Sequence, residues 1–160
     1  MFSFKYIAIT VLVLTWSIDA MANTEEAQRN KILVDNAFQA WQKGTGTPFD
    51  LLDDDATWTI SGTAKFSGKY NSKAEFIQKV IKPFNERITK PLNPVSYNVY
   101  SDGSTVITEF RGETIANDGQ PYVNDYVWIF SMNEGKVKKV TAYLDAPRFD
   151  RLMLESPVKQ

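Results

Sequence analysis

Six side chains at alternate positions, Tyr122, Asn124, Tyr126, Trp128, Phe130 and Met132, restrict what this chain can fold into more than any other stretch. Successive side chains of a strand point to opposite faces. One face of a long strand therefore carries aromatic rings, an amide and a thioether, and the other carries Val123, Asp125, Val127, Ile129 and Ser131. Asn133-Glu134-Gly135-Lys136 turns the chain into a second strand ending at Tyr143-Leu144-Asp145. So wide an aromatic surface, with a carboxylate at its end, suits the wall of a small-molecule pocket better than an ordinary core.

At 160 residues there is room for one domain with a sizeable core. Its 18 Lys and Arg balance 19 Asp and Glu, and no basic stripe is present to release counterions, so nucleic-acid binding is not expected. Histidine and cysteine are both absent. That excludes Ser-His-Asp and Cys-His nucleophile systems, disulfides and cysteine metal sites, and no metal or cofactor is expected. Any chemistry falls to carboxylates, phenols, lysines, arginines or backbone groups.

Residues 1–22 have the layout of a signal peptide. Lys5 supplies the positive start, Tyr6 to Trp16 the apolar stretch, and Ala20-Met21-Ala22 a small-x-small signal before Asn23. The apolar run is short for a membrane span, and Asp19 follows it closely. We expect a periplasmic or secreted protein that starts near Asn23 and does not engage the membrane after cleavage. An uncleaved anchor is the alternative. With no disulfide to help, packing alone must hold the exported fold.

A single domain is expected over residues 23–155, followed by a loose tail at 156–160. Val34, Ala37, Phe38 and Trp41 fall at helical spacing, predicting an amphipathic helix from about Thr24 to Lys43, stopped by Gly44 and Gly46. A short helix is expected at Pro48 to Leu52, and a solvated turn at Asp53-Asp54-Asp55, which lacks the glycine and glutamate of a calcium loop. Ala56 to Ser61 predicts a strand, and Gly62 to Tyr70 an irregular segment. Ser72 and Glu75 form a capping box for a helix with Phe76, Ile77, Val80, Ile81 and Phe84 on one face, which Pro83 must kink or end. Strands through Val95–Val99 and Val106–Glu113 precede a hairpin signal at Asn117-Asp118-Gly119-Gln120, and Pro147 to Leu154 predicts a terminal helix. Helices and one strand first, then four antiparallel strands, predict an α+β domain with helices over one face of a curved antiparallel sheet. The half-apolar outer face (Val123, Val127, Ile129, Ile107) predicts a homodimer contact.

Several of these segments resemble one family. A helix ending in Trp41, then Leu51-Leu52-Asp53-Asp54-Asp55-Ala56-Thr57-Trp58, then Gly68-Lys69-Tyr70 before a helix, is similar to the SnoaL-like polyketide cyclase group. Tyr126-Val127-Trp128-Ile129-Phe130, Gly135-Lys136-Val137 and Tyr143-Leu144-Asp145 resemble it too, so the likeness spans Asn30 to Met153. That group sits in the nuclear transport factor 2-like superfamily with the ketosteroid isomerases. The resemblance implies a cone-shaped α+β barrel with a deep apolar pocket, usually dimeric, and in active members cofactor-free proton transfer by pocket acids. It implies an acid/base role for Asp145. The chain departs from the pattern at Tyr126, where histidine is frequent, and at Ser72, where glycine is.

Asp145 is the first candidate catalytic residue. In an apolar pocket its carboxyl would be pushed toward the range of a general acid/base, with Tyr126 or Tyr143 donating to a developing enolate. The ketosteroid isomerase oxyanion hole divides the labour in this way. Asp145-Ala146-Pro147 is equally a helix N-cap, with the carboxylate held ionised by backbone N–H groups. Asn124 is a candidate for orienting a ligand carbonyl or hydroxyl, and Trp58, Phe66, Tyr70, Phe84, Phe110 and Trp128 are candidate ligand contacts. Two functions remain open: a cofactor-independent isomerase, cyclase or hydratase using Asp145, or a non-catalytic protein that binds a small hydrophobic molecule.

Overall fold

The computed structural model describes residues 5–159, with side chains described at Met21 and from Asn23 onward. Its centre is strand β5. The strands are β1 (Leu52–Ile60), β2 (Gly68–Tyr70), β3 (Asn93–Asp102), β4 (Thr105–Ile115), β5 (Pro121–Asn133) and β6 (Lys136–Leu144). They form one sheet in the order β2-β1-β6-β5-β4-β3. β5 pairs with β4 from Thr105↔Ser131 to Ile115↔Pro121, and with β6 on its other side. The alternate-residue period of β5 becomes a burial period. Tyr122, Asn124, Tyr126, Trp128, Phe130 and Met132 are all buried, while Val123, Val127, Ile129 and Ser131 are half-exposed and Asp125 exposed. The β5–β6 turn places Glu134 and Gly135 at positive φ (48° and 75°), the geometry that matches the right-handed twist of a tight hairpin.

Helices cover the buried face. Helix α1 (Lys5–Gln42) lays Val34, Phe38 and Trp41 against the sheet. It reaches back well beyond the expected start at Thr24. It ends as the glycines predict: Gly44 adopts φ 68°, its N–H donates to the Trp41 carbonyl, and the Thr45 N–H donates to that of Ala40. A 3-10 turn (Pro48–Leu51) leads into β1. Ser72 then accepts the Glu75 N–H and opens α2 (Lys73–Phe76), which continues through a π turn (Ile77–Ile81) into α3 (Lys82–Asn85). Pro83 cannot donate to the carbonyl one turn back, and the widened register just ahead of it accommodates the ring without a break. Helix α4 (Ala146–Glu155) buries Phe149, Leu152 and Met153. Among the described residues, no helix is long and apolar enough to cross a membrane.

Four expectations need correction. The sheet is mostly antiparallel, but β1 pairs parallel to β6, and with β2 and β3 as free edges it stays open rather than closing into a barrel. Asp53-Asp54-Asp55 is not a turn. It lies in β1, where Lys138 of the adjacent β6 bridges Asp53 (2.5 Å) and Asp55 (3.6 Å), and its hydrogen bond holds the Asp53 carboxyl below the usual carboxylate range. The segment expected to be irregular ends in β2. The tail is held rather than loose: Lys159 N–H donates to the Glu86 carbonyl (2.8 Å), Asn117 Nδ2 to the Pro157 carbonyl (2.8 Å) and Ser156 Oγ to the Arg87 carbonyl (3.0 Å).

Phe38 is fully buried where α1 meets the sheet, with its ring against those of Trp41, Tyr97, Phe110 and Trp128. Phe38→Ala is expected to lower unfolding free energy by about 3–5 kcal/mol, measured by urea denaturation of residues 23–160.

Candidate functional site

Beneath the helices the sheet does not pack solid. A cavity of about 610 Å³ lies between β1, β5, β6 and the α2–α3 helix. Trp58 and Phe76 stack face to face at 4.1 Å along one wall, and Trp128 meets Trp58 edge-on at 4.9 Å. Phe84, parallel to Phe149 at 5.8 Å, forms the far end. The helix supplies two rows: Phe76, Val80 and Phe84 are buried inside, while Ile77 and Ile81, one position on, are half-buried toward the opening. The hollow is concave and mostly apolar, and its volume falls within the range of about 300–1,000 Å³ common to small-molecule sites.

One polar chain runs into this apolar setting. Asn124, buried in β5, donates from Nδ2 to the Asp145 carbonyl (3.0 Å) and to the Tyr122 hydroxyl (3.0 Å), and its Oδ1 accepts the Asp145 N–H (3.0 Å). The Tyr122 and Tyr126 hydroxyls are 2.8 Å apart, and Tyr126 is the member that lines the cavity. Either hydroxyl of this pair can be the donor; with Tyr122 donating to Tyr126, the Tyr126 O–H is left free to donate to a guest. Each bond in such a series polarises the next. Burial pushes the Tyr122 phenol up to about 12 and the Tyr126 phenol well above its ordinary value, so both stay protonated donors at neutral pH. Gly112, across from Asn124 in β4, makes room: a Cβ there would come within 3.1 Å of both the Tyr126 ring and Leu92.

The structure gathers only some of the residues singled out in the sequence. Trp58, Phe84, Tyr126 and Trp128 line the cavity. Phe110 lies behind it, stacked on Tyr126 at 4.6 Å, and Asn124 acts through Tyr122. Phe66 packs on Phe149, and Tyr70 donates its hydroxyl to the Phe66 carbonyl (2.9 Å); neither reaches the cavity lining. Tyr143 is corrected outright. It stands on the outer face of β6, 48% exposed, because the strand alternation that turns Ala142 inward turns its neighbour outward. Asp145 is the other correction. Its side chain is 49% exposed, caps α4 by accepting the Arg148 N–H (3.3 Å), pairs with the Arg148 guanidinium (3.4 Å), and does not line the cavity. Phe49, Leu92 and Phe149 line the cavity unforeseen, since isolated apolar residues in turns and short helices show no period.

A family model for the SnoaL-like domain matches residues 34–140. Among curated proteins none matches. Among solved structures, Bal32a from a soil-derived mobile gene cassette superposes with TM-score 0.66 at 19% identity, covering 80% of this chain and 98% of that one. A candidate SnoaL-like polyketide cyclase from Jannaschia sp. CCS1 gives 0.64 at 15%, covering 82% and 96%. An NTF2-like protein from Burkholderia xenovorans LB400 gives 0.59 at 17%, covering 79% and 97%. Identities this low carry the fold alone.

The raised phenols predict a pH dependence. A proton held more tightly in the folded state stabilises it, so this contribution is complete below pH 10 and is lost as pH rises toward about 12. Tyr122→Phe is expected to flatten the fall in stability across that window, as measured by denaturation at stepped alkaline pH. An unchanged slope would contradict the buried dyad.

Proposed function

The chain belongs to the SnoaL-like family, with the nuclear transport factor 2-like fold, and from that premise we propose that it is a binding protein for a small, largely apolar molecule. The observation that carries this is the apolar cavity of about 610 Å³, walled by Trp58, Phe76, Trp128 and Phe84, with Tyr126 as its hydrogen-bonding wall residue. A ligand carbonyl or ether oxygen would take the Tyr126 O–H, and the rings would bury its body at about 25 cal/mol per Å² of apolar area. Binding is favoured over acid/base catalysis by where the carboxylates lie. Asp145 is spent on the α4 cap and Arg148. Among the described residues Asp50 is the one acid in the lining, and its Oδ2 accepts the Thr47 N–H at 2.8 Å. The isomerase, cyclase or hydratase alternative therefore lacks a base beside the phenol donor.

Two further parts of the proposal concern setting. The leader at residues 1–22, with its Ala20-Met21-Ala22 signal, supports export to the periplasm or beyond. The outer sheet face, with Val95, Tyr100 and Tyr143 between 43% and 52% exposed, supports a homodimer across it.

The test uses tryptophan fluorescence with a neutral aromatic ketone and its hydrocarbon counterpart, 2-acetylnaphthalene and 2-ethylnaphthalene. Wild type is expected to bind both saturably and to prefer the ketone by about tenfold, one good hydrogen bond's worth. Tyr126→Phe should erase the preference, Ile77→Trp at the opening should weaken both, and Asp145→Asn should change neither. Absence of saturable binding would sink the binding function. Loss of ketone binding in Asp145→Asn alone would return the site to Asp145.

A further inference from the structure

The cavity walls say what the body of the ligand is; the charges at its opening speak to the head. Lys73, Lys90 and Lys159 border the cavity with the single acid Asp50, although the chain as a whole carries a net charge of −1. Lys90 and Lys159 are exposed and Lys73 half-buried, so all three stand where the hollow meets water. They come from three separate segments: the first residue of α2, the loop after α3, and the tail. The tail is fixed in place by the Lys159 N–H on Glu86 (2.8 Å) and by Asn117 on Pro157 (2.8 Å).

Among the described residues two lysines are paired with acids, Lys79 with Glu75 (2.7 Å) and Lys138 with Asp53 (2.5 Å). Among the described residues the three at the opening form no ion pair. Lys73 Nζ has only the Leu52 carbonyl at 3.3 Å, and Asp50 is engaged by a backbone N–H instead. An apolar hollow ringed by unpaired ammonium groups suits a molecule with an apolar tail and an anionic head.

Resting on the binding function above, we propose that the natural ligand is an amphipathic monoanion of the alkyl-carboxylate class. Its chain lies against Trp58, Phe76 and Trp128, and its carboxylate is at the opening among Lys73, Lys90 and Lys159. The head stays partly in water, where ammonium and carboxylate need not be fully desolvated. The attraction is therefore modest and sensitive to salt.

The experiment titrates the mature protein with dodecanoate, 1-dodecanol and dodecyltrimethylammonium, each below its micelle concentration, following tryptophan fluorescence at low and high salt. Dodecanoate is expected to bind about tenfold tighter than the alcohol at low salt, and the cation weakest. The dodecanoate-to-dodecanol ratio should fall toward one in high salt and in the triple variant Lys73→Gln, Lys90→Gln, Lys159→Gln. Equal binding of acid and alcohol by wild type, or a ratio that survives in the triple variant, overturns the head-group assignment and leaves the apolar pocket standing. Failure of all three probes to bind saturably overturns both.

Discussion

Trp128 joins the two halves of this protein. It is buried on the inner face of β5, stacks nearly parallel to Trp41 of α1 at 5.8 Å, and meets Trp58 of β1 and Phe110 of β4 edge-on at 4.9 and 4.7 Å. Offset and edge-to-face pairs of this kind add about 0.5–1.5 kcal/mol each beyond the area they bury. With no disulfide available, this ring lattice is what seats α1 on the sheet. It also leaves Trp128 with one side packed and one side open to the cavity.

A hollow of about 610 Å³ is expensive in such a fold. At roughly 24 cal/mol per Å³, a sealed and empty space that size would cost roughly 15 kcal/mol, as much as the whole net stability of a typical domain. The cavity is therefore sustained by being open. The half-buried Ile77 and Ile81 and the lysines mark that opening. The α2–α3 helix, widened by its π turn and carrying Pro83, stands over the space instead of settling into it. Phe76 alone reaches the sheet from its first turn, stacked on Trp58. The same geometry that withholds packing energy from the fold leaves an apolar hollow beneath the helix.

How much of this the chain discloses in one dimension depends on range. The period-two row from Tyr122 to Met132 decided the face of β5, because alternation is local and each side chain's direction follows from its neighbour's. The α1 stripe and its glycine stop were legible for the same reason. The parallel β1–β6 pairing was not: it joins segments some 80 residues apart, and nothing in Ala56 to Ser61 encodes the partner. The three aspartates misled because their compensating charge, Lys138, lies equally far along the chain. Asp145 shows the limit most clearly. Sequence position allowed both a pocket acid and a helix cap, and the direction of one side chain, settled by Arg148 and the start of α4, determines which it is. The Asn124–Tyr122–Tyr126 chain joins residues that were each visible as members of the row, yet their mutual bonding is a property of three dimensions.

The central claim is that the rings of β5 and β1 border real open space. Diffraction from crystals of residues 23–160 under xenon pressure tests it most directly, since xenon occupies accessible apolar voids. The account predicts xenon density between Trp58, Trp128 and Phe84, with the surrounding side chains unmoved. Side chains filling that volume, with no xenon among them, would contradict it.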